Sequence, residues 1–321
     1  MMNRLFVLSA LFMLGCATMG NQSESPTLPT LAEMTQAATK ASSAPLANPA
    51  ELGGEIGQAE RMGTMIFQQD QASAAGNDAL LANTTSEERA QLGGQVSQPE
   101  ANDDGTAKGS WIVQFITNEP APKIQFRVRV FMDSQKPAFE KLTPPLEASA
   151  HLLRLIEAQK TALKTIQKSS QTGHKTLRPI VFPVEMNQQK LFIVYLLAGT
   201  PQSDKATFGQ HFRVVVSADG KAVNRQTTLA SDPLEIALNA SKRPLAVVHK
   251  ETVWPNETHV YASLAHQQPI LVGTMKFIWS VENGRISLIE KRPERVVEPE
   301  SKFDSTNTMK ELDSMNQPDP M

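Results

Sequence analysis

The chain has 321 residues, with 31 Lys and Arg against 33 Asp and Glu, six His and one Cys. A net charge of −2 excludes a chain built around nucleic acid, which needs a basic excess, and equally a strongly acidic solvating chain. A single cysteine allows no internal disulfide, so stability has to come from a packed core.

The first predicted element is an apolar leader. Arg4 supplies a positive n-region, and residues 5–14 are apolar except for Ser9. That is too short to span a bilayer, which takes about 20 residues, and it suits a secretory signal. The run closes on Phe12, Met13, Leu14, Gly15 and Cys16. Leu14-Gly15-Cys16 resembles the lipobox of bacterial lipoproteins, with Met13 where that family most often has Leu. The resemblance implies that the Cys16 thiol receives a diacylglyceryl group. It implies that a peptidase cuts between Gly15 and Cys16, and that the new amino group is acylated too. The residue types suit this chemistry. A thiol is the good nucleophile, small Gly15 lets the peptidase approach, and one acyl chain alone binds membranes only marginally. Ala17 in place of Asp implies, by the same resemblance, sorting to the outer membrane with the domain on its periplasmic face. The expected layout thus begins with a signal peptide at 1–15 and a membrane anchor at Cys16. With Arg4 removed the mature chain carries about −3. No later stretch approaches 18 uninterrupted apolar residues, so no other spanning helix is expected.

Residues 17–49 are rich in Ala, Ser, Thr and Pro without lasting period. Such a composition cannot offset its ordering entropy by burial, so 16–50 is read as a flexible tether. As a coil it reaches roughly 30 Å, and fully extended roughly 110 Å. Residues 51–81 have helical character: Ile56, Ala59, Met62, Met65, Ile66 and Phe67 fall at helix-like spacing, and Gly76-Asn77 should end the pattern. The Met-rich stripe is read as core rather than as a partner face. Residues 50–60 and 90–100 match at six of eleven positions, but Pro99 should stop the second copy from being a helix. Residues 83–109 read as a linker holding one short helix at 86–92 capped by Ser86. The unit 51–108 is therefore a helical segment and linker.

An α+β domain is expected over 109–290. Trp111, Val113 and Phe115 alternate with Ile112, Gln114 and Ile116. Ile124, Phe126, Val128 and Val130 then face one way, and Lys123, Gln125, Arg127 and Arg129 the other, as in an antiparallel strand with one wet face. Thr143-Pro144-Pro145 reads as a helix start. Leu152, Leu155, Ile156, Leu163 and Ile166 form an apolar stripe, and Arg154, Lys160, Lys164 and Lys168 a basic opposite side. Residues 180–184 and 191–197 are strands about a turn, the second apolar enough to be central. Asp219-Gly220 and Asn283-Gly284 mark two hairpins. Asp232 is read as capping a short helix to Leu238, and 245–250, 259–265 and 270–274 as strands. The sum is a large, mostly antiparallel sheet of about ten strands with two or three packed helices. Residues 291–321 are charged and aperiodic, and read as a disordered tail.

Phe192 to Gly199, His211 to Gly220, Thr258 to Tyr261 and Ile278 to Ile286 resemble uncharacterised exported proteins of Gram-negative bacteria. The resemblance implies one continuous domain and no particular activity.

The chain carries no HExxH, no G-x-S-x-G and no phosphate-cradling Gly loop. His249, His259 and His266 come closest to a metal set, but three or four converging ligands are needed. No metal, cofactor or catalytic residue is therefore assigned. A Ser-His-Asp set could be assembled from distant positions, such as Ser263 with His259, but no motif marks one. Asn102, Asp103, Asp104 and Gly105 lack the other ligands of a calcium loop. Trp254, Tyr261 and Trp279 are read as core, with an apolar cleft as the alternative. The expected function is a membrane-anchored envelope lipoprotein acting as a non-enzymatic binding or interaction module, with an envelope protein or cell-wall component as partner. A periplasmic hydrolase with scattered site residues and a structural part of an envelope assembly are the alternatives.

Overall fold

The computed structural model describes residues 33–34, 49–102, 107–133, 135–169, 176–199, 204–230, 234–238 and 243–292. One long helix organises them. A 3-10 turn (Ala50–Leu52) leads into α1 (Gly53–Asn83), 31 residues long. Its apolar side chains serve different cores in succession. Ile56 and Ala59 pack under the last sheet, Ile66 against the central sheet, and Ala72 and Leu80 against the first. The helix does not end at Gly76 as expected. A Cβ there would come within 2.8 Å of Val113, so this glycine permits close approach of helix and sheet rather than a stop.

Beyond α1, a short helix α2 (Ser86–Ala90) is closed by a capping box of Thr85 and Glu88, not by Ser86. The stretch read as linker then becomes a strand. β1 (Leu92–Ala101) pairs antiparallel with β2 (Ala107–Thr117), so residue 109 lies inside a paired strand and not at a boundary. β3 (Lys123–Phe131) and β4 (Ala138–Glu147) complete a meander in the order β1-β2-β3-β4. The echo segments 50–60 and 90–100 thus diverge into helix and strand. Pro99 is tolerated because β1 is an edge strand. Phe126, Val128 and Val130 face α1 as the alternation predicts, whereas Ile124, beyond a register shift against β4, joins the core under the next helix instead. On the other face Arg127 pairs with Glu140 and Arg129 with Glu100.

Thr143-Pro144-Pro145 do not start a helix; they lie in edge strand β4, where prolines break no ladder between two neighbours. The helix, α3 (Ala150–Lys168), begins later, capped by Ser149. Its predicted stripe packs on the central sheet while Arg154, Lys160, Lys164 and Lys168 stay in water. That sheet has the order β5-β6-β8-β9, from β5 (Leu177–Met186), β6 (Gln189–Ala198), β8 (His211–Ser217) and β9 (Val223–Ala230). β6 is central and covered on both faces, as its apolar run predicts. A separate two-stranded ribbon joins β7 (Lys205–Phe208) to β10 (Leu234–Ala237). β10 replaces the short helix expected there, because Leu234 to Ala237 take up the free edge of β7. Asp232 lies outside the described residues.

The last sheet, β11-β12-β13-β14, comprises β11 (Leu245–Val248), β12 (Ile270–Gly273), β13 (Phe277–Glu282) and β14 (Arg285–Lys291). Residues 259–265 are not a strand. They belong to helix α4 (Glu257–His266), which carries the chain between parallel strands β11 and β12. A parallel pair needs such a crossover, and Asn256 initiates it by accepting from the backbone N–H of Thr258 at 3.0 Å. The protein is thus α+β, with fourteen strands in four sheets among the described residues rather than about ten in one.

Within the stretch read as tether, Glu33 and Met34 are helical, and Met34 is buried against Ile278 on the outer face of the last sheet. The remainder of 16–48, residues 1–15 read as a signal peptide, and the residues beyond Arg292 read as a tail lie outside the described residues, as does Cys16.

Candidate functional site

The central sheet has two unlike faces. Towards α3 it presents Val181, Phe192, Val194, Leu196, Phe212, Val214 and Val216. Towards α1 and α4 it presents a rung of Ile180, Tyr195, Arg213 and Thr227, aligned across four strands. Charges on that buried face need partners, and two clusters supply them.

In the first cluster Arg213 donates to Glu257 Oε1 at 2.8 Å, and the Tyr195 hydroxyl donates to the same oxygen at 3.0 Å. Glu257 stands in the first turn of α4, where a carboxylate is also favoured by the helix dipole. Burial and the neighbouring carboxylate push the Tyr195 phenol far above its ordinary pKa, so it remains a donor. Burial disfavours the Arg213 cation, but the Glu257 charge and Tyr195 leave its pKa raised. In the second cluster Arg178 donates to Asp70 Oδ1 at 2.6 Å and to Tyr261 Oη at 3.0 Å, and Tyr261 donates to Asp70 Oδ2 at 2.8 Å. Burial and the Asp70 charge raise the Tyr261 phenol as well. The two clusters tie α1, α4 and the central sheet into one polar joint.

Beside this joint a cleft of about 460 Å³ opens between the start of α1, strand β9 and the loop leading into α4. Glu55 and Met62 line it from α1, Arg225 and Thr227 from β9, and Thr252 and Trp254 from the loop. Glu257 and Arg213 form its floor beside Asn256. The loop wall is fixed by a histidine clasp. The Thr252 hydroxyl donates to the Trp254 carbonyl, and His249 Nε2 lies within hydrogen-bond distance of the same hydroxyl, at 2.8 Å. His249 Nδ1 lies 3.0 Å from the Glu251 carboxylate. Trp279 adds a third tie by donating from Nε1 to the Val253 carbonyl at 3.0 Å. A second recess, of about 490 Å³, lies between α3 and the β5–β6 hairpin, with Arg154, Lys190 and Phe192 on its walls.

The histidines do not gather as a metal set. His249 and His259 touch edge to face, with centroids 4.9 Å apart, while His266 sits at the far end of α4. No group of three His, Cys, Asp or Glu side chains that could hold a metal occurs among the described residues. His259 and Ser263 share helix α4, and the Ser263 hydroxyl is buried without a hydrogen-bond partner, so they make no nucleophile–base pair. Of the three aromatics, Trp254 lines the cleft, whereas Tyr261 and Trp279 are core. Asp70, Arg178, Arg213, Glu257 and the clasp did not stand out in the sequence.

His259 carries a pH signature. Its Nδ1 accepts from the Asn256 backbone N–H at 3.2 Å. Complete burial, then the charges of His249 and His211, drive its pKa well below the ordinary 6.5. The unfolded chain therefore takes up this proton first on acidification. The stabilising contribution is complete above about pH 6.5 and is lost as pH falls towards the depressed folded value. Urea midpoints measured from pH 8 to pH 5 should fall below about pH 6.5, at up to about 1.4 kcal/mol per pH unit for one proton. In His259→Gln that slope should flatten. Equal slopes in the two proteins would show that another group governs acid stability.

Comparison with protein-family models, curated proteins and solved structures finds no match for this chain. Fold and cleft define an α+β protein with a polar, charge-bearing recess braced by buried ion pairs.

Proposed function

We propose that this chain is a lipid-anchored envelope protein whose α+β domain is a non-enzymatic binding module, with the cleft beside Arg213 and Glu257 as its binding site. The cleft carries the reading. Its volume of about 460 Å³ falls in the range of small-ligand sites. Its lining mixes an aromatic face, hydroxyls and both signs of charge, and two ionic clusters hold its walls. A cell-wall component or an envelope protein is the proposed partner. The anchor rests on Leu14, Gly15 and Cys16, and Ala17 favours the periplasmic face of the outer membrane. Only 17 residues lie between Cys16 and buried Met34, so the domain would lie within roughly 60 Å of the bilayer.

A hydrolase reading draws on the three carboxylates Glu55, Glu251 and Glu257 at the cleft. Acid–base chemistry asks for two groups tuned apart and facing the substrate. Here Glu251 is engaged by His249 and Glu257 by Arg213 and Tyr195. His259, the histidine with a strongly shifted pKa, does not line the cleft.

Palmitate labelling with membrane fractionation tests the anchor. Wild type should label and sediment with membranes, and Cys16→Ala should lose both properties. An unlabelled, soluble wild type would remove the anchor from this reading.

A further inference from the structure

The cleft presents one uncommitted charge of each sign on opposite walls. Arg225 projects from β9, and Glu55 from the first turn of α1. Among the described residues neither makes an ion pair or a hydrogen bond, with each other or with a third group. The other charges at the cleft are engaged: Arg213 by Glu257, and Glu251 by His249. Arg225 shares its sheet face with Thr227, one rung away, so a guanidinium fork and a hydroxyl point into the same space.

We infer that the cleft binds a zwitterion, a short peptide with both a free carboxylate and a free ammonium. This deepens the binding reading above and rests on it. Arg225 meets the carboxylate through its planar fork, with the Thr227 hydroxyl as a further donor. Glu55 meets the ammonium, and the Trp254 ring covers the apolar middle. The charge pattern disfavours a bare anion. The lining holds two arginines and three glutamates, so a phosphate would enter a cleft that is already net negative. Size points the same way. A volume of about 460 Å³ corresponds to a cube with an edge of about 8 Å. At roughly 3.3–3.6 Å per extended residue, that spans two or three residues rather than one.

The test is titration of the full-length protein, followed by tryptophan fluorescence, with Trp254→Phe identifying the emission that belongs to the cleft. The probes are alanine, dialanine and trialanine, then trialanine blocked as the N-acetyl or the C-terminal amide form, and inorganic phosphate. Dialanine or trialanine should bind at least tenfold more tightly than alanine. Blocking either terminus should cost tenfold or more. Arg225→Gln should erase the penalty for amidation, and Glu55→Gln the penalty for acetylation. Both residues are exposed, so neither variant should disturb the fold. Equal binding of blocked and free peptides, or a response to phosphate alone, overturns the zwitterion while leaving the cleft a binding site. If none of these probes moves the Trp254 emission, both the zwitterion and the binding-site reading fall.

Discussion

Gly63→Ala should cost about 3 kcal/mol or more, although alanine is the better helix former. Gly63 is where α1 crosses α4. A Cβ added there would lie 2.5 Å from Val260 Cβ and 2.7 Å from the Glu257 carbonyl oxygen. The first obstacle is a β-branched side chain stiff at χ1, and the second is backbone, so neither can yield locally. The helices would have to separate, and the cost would spread to Tyr261, whose bond to Asp70 crosses the same interface. Gly54→Ala is the control. Its added methyl meets nothing within 4 Å, and the substitution should gain about 0.5–1 kcal/mol. Gly76→Ala should fall between, because the obstacle is the Val113 side chain alone, at 2.8 Å. Urea denaturation of the three variants gives the order. If Gly63→Ala is as stable as Gly54→Ala, the helices do not cross this closely.

The fold was legible where one period dominated a stretch. The alternation of Phe126, Val128 and Val130, the stripe of α3 and the turns at Asp219-Gly220 and Asn283-Gly284 each have one physical reading, and each appears as read. Reading failed where tertiary partners overrode a short pattern. Thr258, Val260 and Tyr261 carry β-branched and aromatic side chains and suggest a strand. Asn256 instead caps them as a helix, and nearly all of that helix is buried, so no polar stripe advertised its period. Residues 92–101 looked like linker because Gly93, Gly94 and Pro99 disfavour a strand. Pairing with β2 along ten residues outweighs those local costs.

The candidate site was harder to read because its parts are single polar residues in apolar surroundings. Asp70 lies in the middle of a helix, and Arg213 interrupts His211, Phe212, Val214, Val215 and Val216. One signal was available. An arginine in a strand covered on both faces demands a buried counter-charge, and only 33 acidic residues could supply it. Which one does so is not a local property, since Glu257 lies 44 residues from Arg213, and Tyr261 lies 191 from Asp70.

The two ionic clusters should respond unequally to loss of their carboxylates. Glu257→Ala should cost about 3–5 kcal/mol. Its side chain is 7% exposed and that of Arg213 is 29% exposed, while Tyr195 is 1% exposed. Removing the carboxylate leaves a largely enclosed guanidinium and an enclosed phenol without their shared acceptor. Asp70→Ala should cost less, about 1–2 kcal/mol. Arg178 is 45% exposed and can turn to water while keeping its bond to the Tyr261 oxygen. The measurement is the unfolding free energy of both variants at neutral pH, with a Glu257→Ala, Arg213→Ala cycle to isolate the pair. A triple replacement, Glu257→Leu, Arg213→Leu and Tyr195→Phe, should recover most of the loss, since removing every member of a buried ionic cluster is far milder than orphaning one. If Asp70→Ala proved the costlier, the brace beside the cleft would be the Asp70 cluster, and the rigidity assigned to the Arg213 floor would have to be sought in α1 instead.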